Sequence, residues 1–124
     1  MLNLPPPVRI FIAREPADMR KSFDGISGLV IDAIEQDPQS GHVFAFFNKR
    51  RTIAKLLVWD TSGYWLHCKR LEHGHFSVFD RVSSSASSFE IPSTDLMLLL
   101  EGIDLRGSTR RVTHEEMWNR RIRS

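Results

Sequence analysis

The stretch HVFAFFNKRRTIAKLLVWDTSGYWLHCKRL, residues 42–71, decides the fold. It holds three runs rich in β-branched and aromatic residues: His42 to Phe47, Ile53 to Trp59 and Tyr64 to Leu71. Asn48-Lys49-Arg50-Arg51 separates the first from the second, and Asp60-Thr61-Ser62-Gly63 the second from the third. Short polar turns between apolar runs of strand length predict an antiparallel meander. In the third run Trp65, His67 and Lys69 share one face, while Tyr64, Leu66, Cys68 and Arg70 share the other.

Upstream, Ser22 to Gln36 carries Phe23, Ile26, Leu29, Val30, Ala33 and Ile34 at helical spacing and leaves Asp24, Asp32 and Glu35 for water. Gly25 and Gly28 weaken that helix, so close packing against the sheet is expected to offset them. Asp18 can cap the turn that enters it. Asp37-Pro38 ends it, and Ser40-Gly41 turns the chain into the meander. Before the helix, Val8 to Ile12 is rich in β-branched residues and predicts a strand at about 8–13, behind the stiff run Leu4-Pro5-Pro6-Pro7.

Downstream, Phe76 to Phe79 reads as a short edge strand, Val82 to Ser88 as a serine-rich surface loop, and Phe89-Glu90-Ile91 as a further strand. Pro92-Ser93-Thr94-Asp95 starts a helix with Ser93 as cap, and Gly102 is placed to stop it. The expected fold class is α+β: an antiparallel meander of four to five strands, a main helix at about 22–36 and a short C-terminal helix at about 93–102. Phe23, Ile26, Val30 and Ile34 should be buried with Leu57 and Trp59.

A length of 124 residues fits one domain, and 41% hydrophobic with 26% charged residues is ordinary for a globular chain. No apolar run is long enough to span a membrane. The N-terminus shows no secretory signal, and the single Cys68 fits a reducing cytoplasm. The net charge is only +2, but residues 106–124 hold six arginines against Glu115 and Glu116. The expected organisation is therefore one domain at 1–105 and a basic, mobile tail at 106–124, with Thr113 to Glu116 resembling the capping box of a marginal helix. Basic tails on near-neutral domains attract nucleic acid, although a tail of this kind can also simply be solvated.

Four segments resemble a known family. They are Asp18-Met19-Arg20-Lys21-Ser22-Phe23-Asp24-Gly25; Asp37 to Phe44 with Phe46 to Arg51; Lys55 to Asp60 with Gly63-Tyr64 and Lys69 to Glu72; and Leu98 to Asp104. In order and spacing they resemble the TnpB accessory proteins of the insertion sequence 66 family of bacterial transposable elements. The resemblance runs from about 15 to 106, and four linked segments make it more specific than any single short motif. It implies a non-catalytic accessory factor for DNA transposition. The partners it implies are DNA at the element ends, a DDE-type transposase and a second small protein of the same element. No cofactor is expected, and the expected location is the cytoplasm. His73 and His75 stand where the family more often carries arginine or lysine.

The residues expected to contact DNA are Arg20, Lys21, Lys49, Arg50, Arg51, Lys55, Lys69, Arg70, Arg110 and Arg111. Lysine and arginine on phosphate supply most non-specific affinity. The competing explanation is that hairpin tips and sheet edges carry cations as protection against edge pairing. The alternative function is a protein-interaction module that docks on the transposase without significant DNA binding. The aromatics Phe44, Phe46, Phe47, Trp59, Tyr64 and Trp65 could stack bases but are expected mainly in the core. His67, Cys68, His73 and His75 form a poor metal set, because neighbours on a strand point to opposite faces. Asp18, Asp24, Asp60, Glu72, Glu101 and Asp104 show no spacing that links them as a two-metal site, so no catalysis is expected.

Overall fold

Ile10–Ala13 forms a strand, β1, buried along its whole length. A strand that alternates poorly and has no polar face must be covered on both sides. The computed structural model, which describes residues 7–77 and 86–102, shows how. Helix α1 (Phe23–Leu29) runs on into a π-helical turn at Val30–Ile34. Strands β2 (Val43–Phe47), β3 (Ile53–Asp60) and β4 (Gly63–Arg70) follow, then β5 (Ser88–Ile91) and helix α2 (Ser93–Leu100). The strand order across the sheet is β4-β3-β2-β1-β5.

The expected antiparallel meander is β2-β3-β4, with Phe44 opposite Leu57 and Leu57 opposite Leu66. The sheet as a whole is mixed. β1 pairs with β2 in parallel, Ile10 beside Val43, and with β5 antiparallel, Ile10 beside Ile91. The physical reason lies in the connection. Parallel neighbours need a crossover of a dozen or more residues, and α1 with its flanking turns is that crossover.

Each face of the sheet has its own core. On one, Phe11, Ala13, Phe44, Phe46 and Leu57 meet Ile26, Val30 and Ile34. On the other, Ile10, Ile12, Ala45, Phe47, Ala54 and Leu56 meet Leu96, Leu99 and Phe76. Burying each large side chain contributes about 1.5–3 kcal/mol. The widened π turn serves the first core, because residues spaced by four drift round an α-helix. Less rotation per residue brings Ile34 back toward the line of Ile26 and Val30. The Glu35 N–H closes the turn onto the Val30 carbonyl, with Glu35 in the left-handed region at φ 61°.

Several expectations need correction. Phe23 is 45% exposed, since it opens α1 ahead of the first residue to reach the sheet. Trp59 is only half-buried and packs edge-on against Tyr64 near the end of β3. Pro92, not Ser93, is the residue before α2, and no side chain caps that end. Gly102 does adopt the expected left-handed conformation, at φ +80°. The glycines of α1 do not press on the sheet. A Cβ on Gly25 would lie 2.9 Å from the Lys21 Cβ, so Gly25 makes room for the Lys21 stem. A Cβ on Gly28 would meet nothing within 4 Å. Phe76 is buried against Phe47 but lies outside any strand. All but Pro7 of the expected polyproline run, the end of the 76–79 strand, most of the serine loop and the whole of 103–124 fall outside the described residues.

Two substitutions in α1 should move stability in opposite directions. Gly28→Ala should raise it by about 0.5–1 kcal/mol, whereas Ile26→Ala should lower it by about 2–5 kcal/mol. Urea unfolding followed by circular dichroism measures both. No gain from Gly28→Ala would mean that this position is not ordinary helix.

Candidate nucleic-acid interface

The turn between β2 and β3 is held by one side chain. The Asn48 Oδ1 accepts hydrogen bonds from the backbone N–H of Thr52 (2.8 Å) and Ile53 (3.0 Å), and its Nδ2 donates to the Thr52 Oγ1. The Arg51 N–H closes back on the Asn48 carbonyl at 3.0 Å. Arg51 is left-handed, at φ 58°, which is uncommon for a residue with a Cβ and is tolerated here because Asn48 clamps both sides. Lys49 and Arg50 are thereby presented at the exposed tip.

Neighbouring segments are tied to the same end of the sheet. The Leu71 N–H donates to the Thr52 carbonyl and the Phe76 N–H to the Arg51 carbonyl, which brings the His73–His75 segment beside the turn. The Ala17 N–H donates to the Phe47 carbonyl. The Lys55 Nζ donates to the Lys21 carbonyl at 2.7 Å and so anchors the entry to α1. The Lys69 Nζ donates to the Leu100 carbonyl at 2.7 Å, a cation at the C-terminal end of α2, with Glu101 at 4.0 Å. Gly102 lies against Leu71, so the chain leaves the described residues at this end too.

The consequence is a charge separation along the strands. Every described lysine, and every described arginine except Arg9, lies toward the end where β2 stops and β3 starts. Asp32, Glu35, Asp37, Asp60 and Asp95 lie toward the other end, where Arg9 is taken up by Glu90, while Asp18, Glu72 and Glu101 stand among the cations and offset part of their charge. The eight described candidates, Arg20, Lys21, Lys49, Arg50, Arg51, Lys55, Lys69 and Arg70, are thus brought together, although they come from four separate stretches of chain. Arg110 and Arg111 lie outside the described residues.

The eight are not equivalent. Lys55 and Lys69 are engaged with backbone carbonyls. Arg70 pairs with Glu72 at 3.3 Å. Arg20 forks onto Asp18, whose Oδ1 also accepts the Arg20 N–H. This is the turn, capped by Asp18, that was expected ahead of α1. Lys49 and Arg50, at the exposed tip, form no ion pair with a described residue. His67 and Cys68 lie on opposite faces, opposite Leu56 and Lys55 respectively. Among the described residues no group of three histidines, cysteines or carboxylates is arranged to hold a metal, and no helix is long and apolar enough to cross a membrane.

The side-chain hydrogen bonds from Arg20, then its backbone N–H, hold the Asp18 carboxyl down at about 2. A depressed carboxylate favours the fold only while ionised. Its contribution is present above the ordinary carboxylate range and is lost as pH falls through about 2. Carbon-detected NMR titration should place the Asp18 midpoint near that value and move it back toward 3.8 in Arg20→Ala. An unchanged midpoint in the variant would show that Arg20 is not its partner.

Comparison with known proteins agrees with the residues quoted at the outset. Residues 8–110 match a family described as "IS66 Orf2 like protein". Two relatives from Sinorhizobium fredii (strain NBRC 101917 / NGR234) are similar over most of their length, and both are described only as uncharacterized proteins. One, y4jC, is 35% identical over 97 residues, 78% of this chain and 80% of its own. The other, y4hO, is 32% identical over 99 residues, 80% of this chain and 84% of its own. No solved structure matches. The chain belongs to the IS66 Orf2-like family of insertion-sequence accessory proteins.

Proposed function

We propose that this transposition-associated protein acts without catalysis, by contacting the phosphates of DNA at the element ends through the basic end of its sheet. The observation that carries this reading is the gathering of the described lysines and arginines, Arg9 apart, at one end. Such a pole creates a field that attracts a polyanion and orients it before contact. Lys49 and Arg50 meet the backbone first. Lys21, Arg51 and the other cations extend the footprint, and Arg110 and Arg111 follow Gly102 in sequence from the same end. The transposase and the second small protein of the element are the protein partners of this reading, and the cytoplasm its compartment. This reading divides the chain into one domain at 1–105 and a basic tail at 106–124.

A second reading has one observation in its favour. Met97 is 62% and Leu98 41% exposed on α2, which suits a docking helix better than a solvated one. On that reading the protein holds the transposase and touches DNA little.

Titration of labelled duplexes at several salt concentrations separates the two. Each neutralised phosphate contributes a log–log salt slope of about −0.9. The full chain should give a slope of roughly −4 to −6. Changing Lys49, Arg50 and Arg51 to alanine should make it shallower by about two to three, and deleting residues 107–124 by several units. Preference between sequences should hardly change, because phosphate contacts carry little sequence information directly. Magnesium or manganese should elicit no strand cleavage. Affinity and slope untouched by both changes, with and without the transposase, would transfer the function to the docking reading.

A further inference from the structure

The aromatic side chains of the sheet run from fully buried, through the half-buried Trp59, Tyr64 and Phe89, to one that is exposed. Phe11, Phe44, Phe46 and Phe47 are buried, whereas Trp65 is 58% exposed. It stands on β4, which has no strand beyond it among the described residues. Its ring is nevertheless fixed. The indole Nε1 donates to the Asp60 Oδ2 at 2.6 Å, and Asp60 is held by the turn it belongs to. The His67 ring lies nearly parallel to the indole, with 11° between the planes and 6.0 Å between the centroids. Lys69 comes next on the same face, its ammonium held at the end of α2. An exposed, large aromatic ring that is already immobilised loses little entropy when something flat is laid on it.

We propose that Trp65 and His67 form a stacking platform for an unpaired base of single-stranded DNA. The inference rests on the DNA-contact reading above and extends it from phosphate to base. A base inside a duplex has its faces covered, whereas an unpaired base offers a π-face, and stacking on aromatic side chains is how sheet surfaces hold single strands. Charge sets the direction of the strand. The Asp60 carboxylate stands at one end of the row and repels phosphate. Lys69 and the basic end lie at the other. The backbone therefore runs from the platform toward Lys69 and the β2–β3 turn. A site of this kind suits an element end at which the strands have separated.

The test uses the full chain, a labelled oligothymidylate and a labelled mixed-sequence duplex. Trp65→Ala should weaken oligothymidylate binding about tenfold and leave duplex affinity unchanged. Trp65→Phe should retain part of the single-strand affinity, since an aromatic face is kept although the five-membered ring and its N–H are lost. Unchanged thermal melting of both variants shows that the fold is intact. Alanine at Lys49, Arg50 and Arg51 should weaken both ligands. Three results overturn the platform: oligothymidylate binding unaffected by Trp65→Ala, an equal loss on the duplex, or a change confined to self-association in sedimentation. If duplex binding persists in the first case, the phosphate reading stands without the platform. If the wild-type chain binds neither DNA, both readings fall.

Discussion

The parallel pairing of β1 with β2 is the constraint on which the rest of this molecule depends. It requires a crossover, and α1 supplies it by lying over one face of the sheet. α2, entered from β5 on the far side of β1, covers the other. With Ile12, Ala45, Phe44 and Leu57 sealed between two helical layers, β1 and β2 carry no charged residue, and Lys55 on β3 reaches out to the Lys21 carbonyl at the entry to α1. Charge is forced to the ends of the strands and to the β4 edge. The exposed turns and the exposed row on β4 are where a surface for a partner can be built.

Much of this was legible in the amino-acid sequence. Runs of β-branched and aromatic residues, bounded by turn residues, marked all five strands. The spacing of Ile26, Val30 and Ile34 marked the buried stripe of the main helix. What was not legible is long-range. Nothing local in Ile10–Ala13 states that it inserts between β2 and β5, and the length of the 14–42 connection was the only hint of a parallel neighbour. The π turn also left no local trace, because it answers to the fit of Ile34 on the sheet. Of the candidate site, the cations could be named one by one, but their convergence depends on register. Lys21 and Lys55 are remote in sequence and meet only because α1 begins where β3 begins. The alternation put Trp65, His67 and Lys69 on one face, yet it could not say how far α2 reaches across that face.

The local pairings also divide the basic residues by role. Lys55 and Lys69 tie helix ends to the sheet, so losing them disturbs the scaffold as well as the field. Lys49 and Arg50 carry no such duty, and they are the cleaner reporters of an electrostatic role. Arg20 and Arg70 are held by Asp18 and Glu72, and a phosphate must compete with those carboxylates in exposed, well-screened surroundings. Such pairs are weak enough to be exchanged and strong enough to keep the guanidinium groups oriented beforehand.

The central claim is that one end of this sheet, and not the other, faces DNA. Backbone amide chemical-shift mapping on the isotope-labelled full chain, titrated with a short duplex at low salt, tests it most directly. The account predicts shifts at Lys49 to Thr52, around Lys21 and through Arg70 to His75, with Asp32 to Asp37 and the Asp60–Ser62 turn unmoved. Shifts centred on that acidic end, or none anywhere, would contradict it.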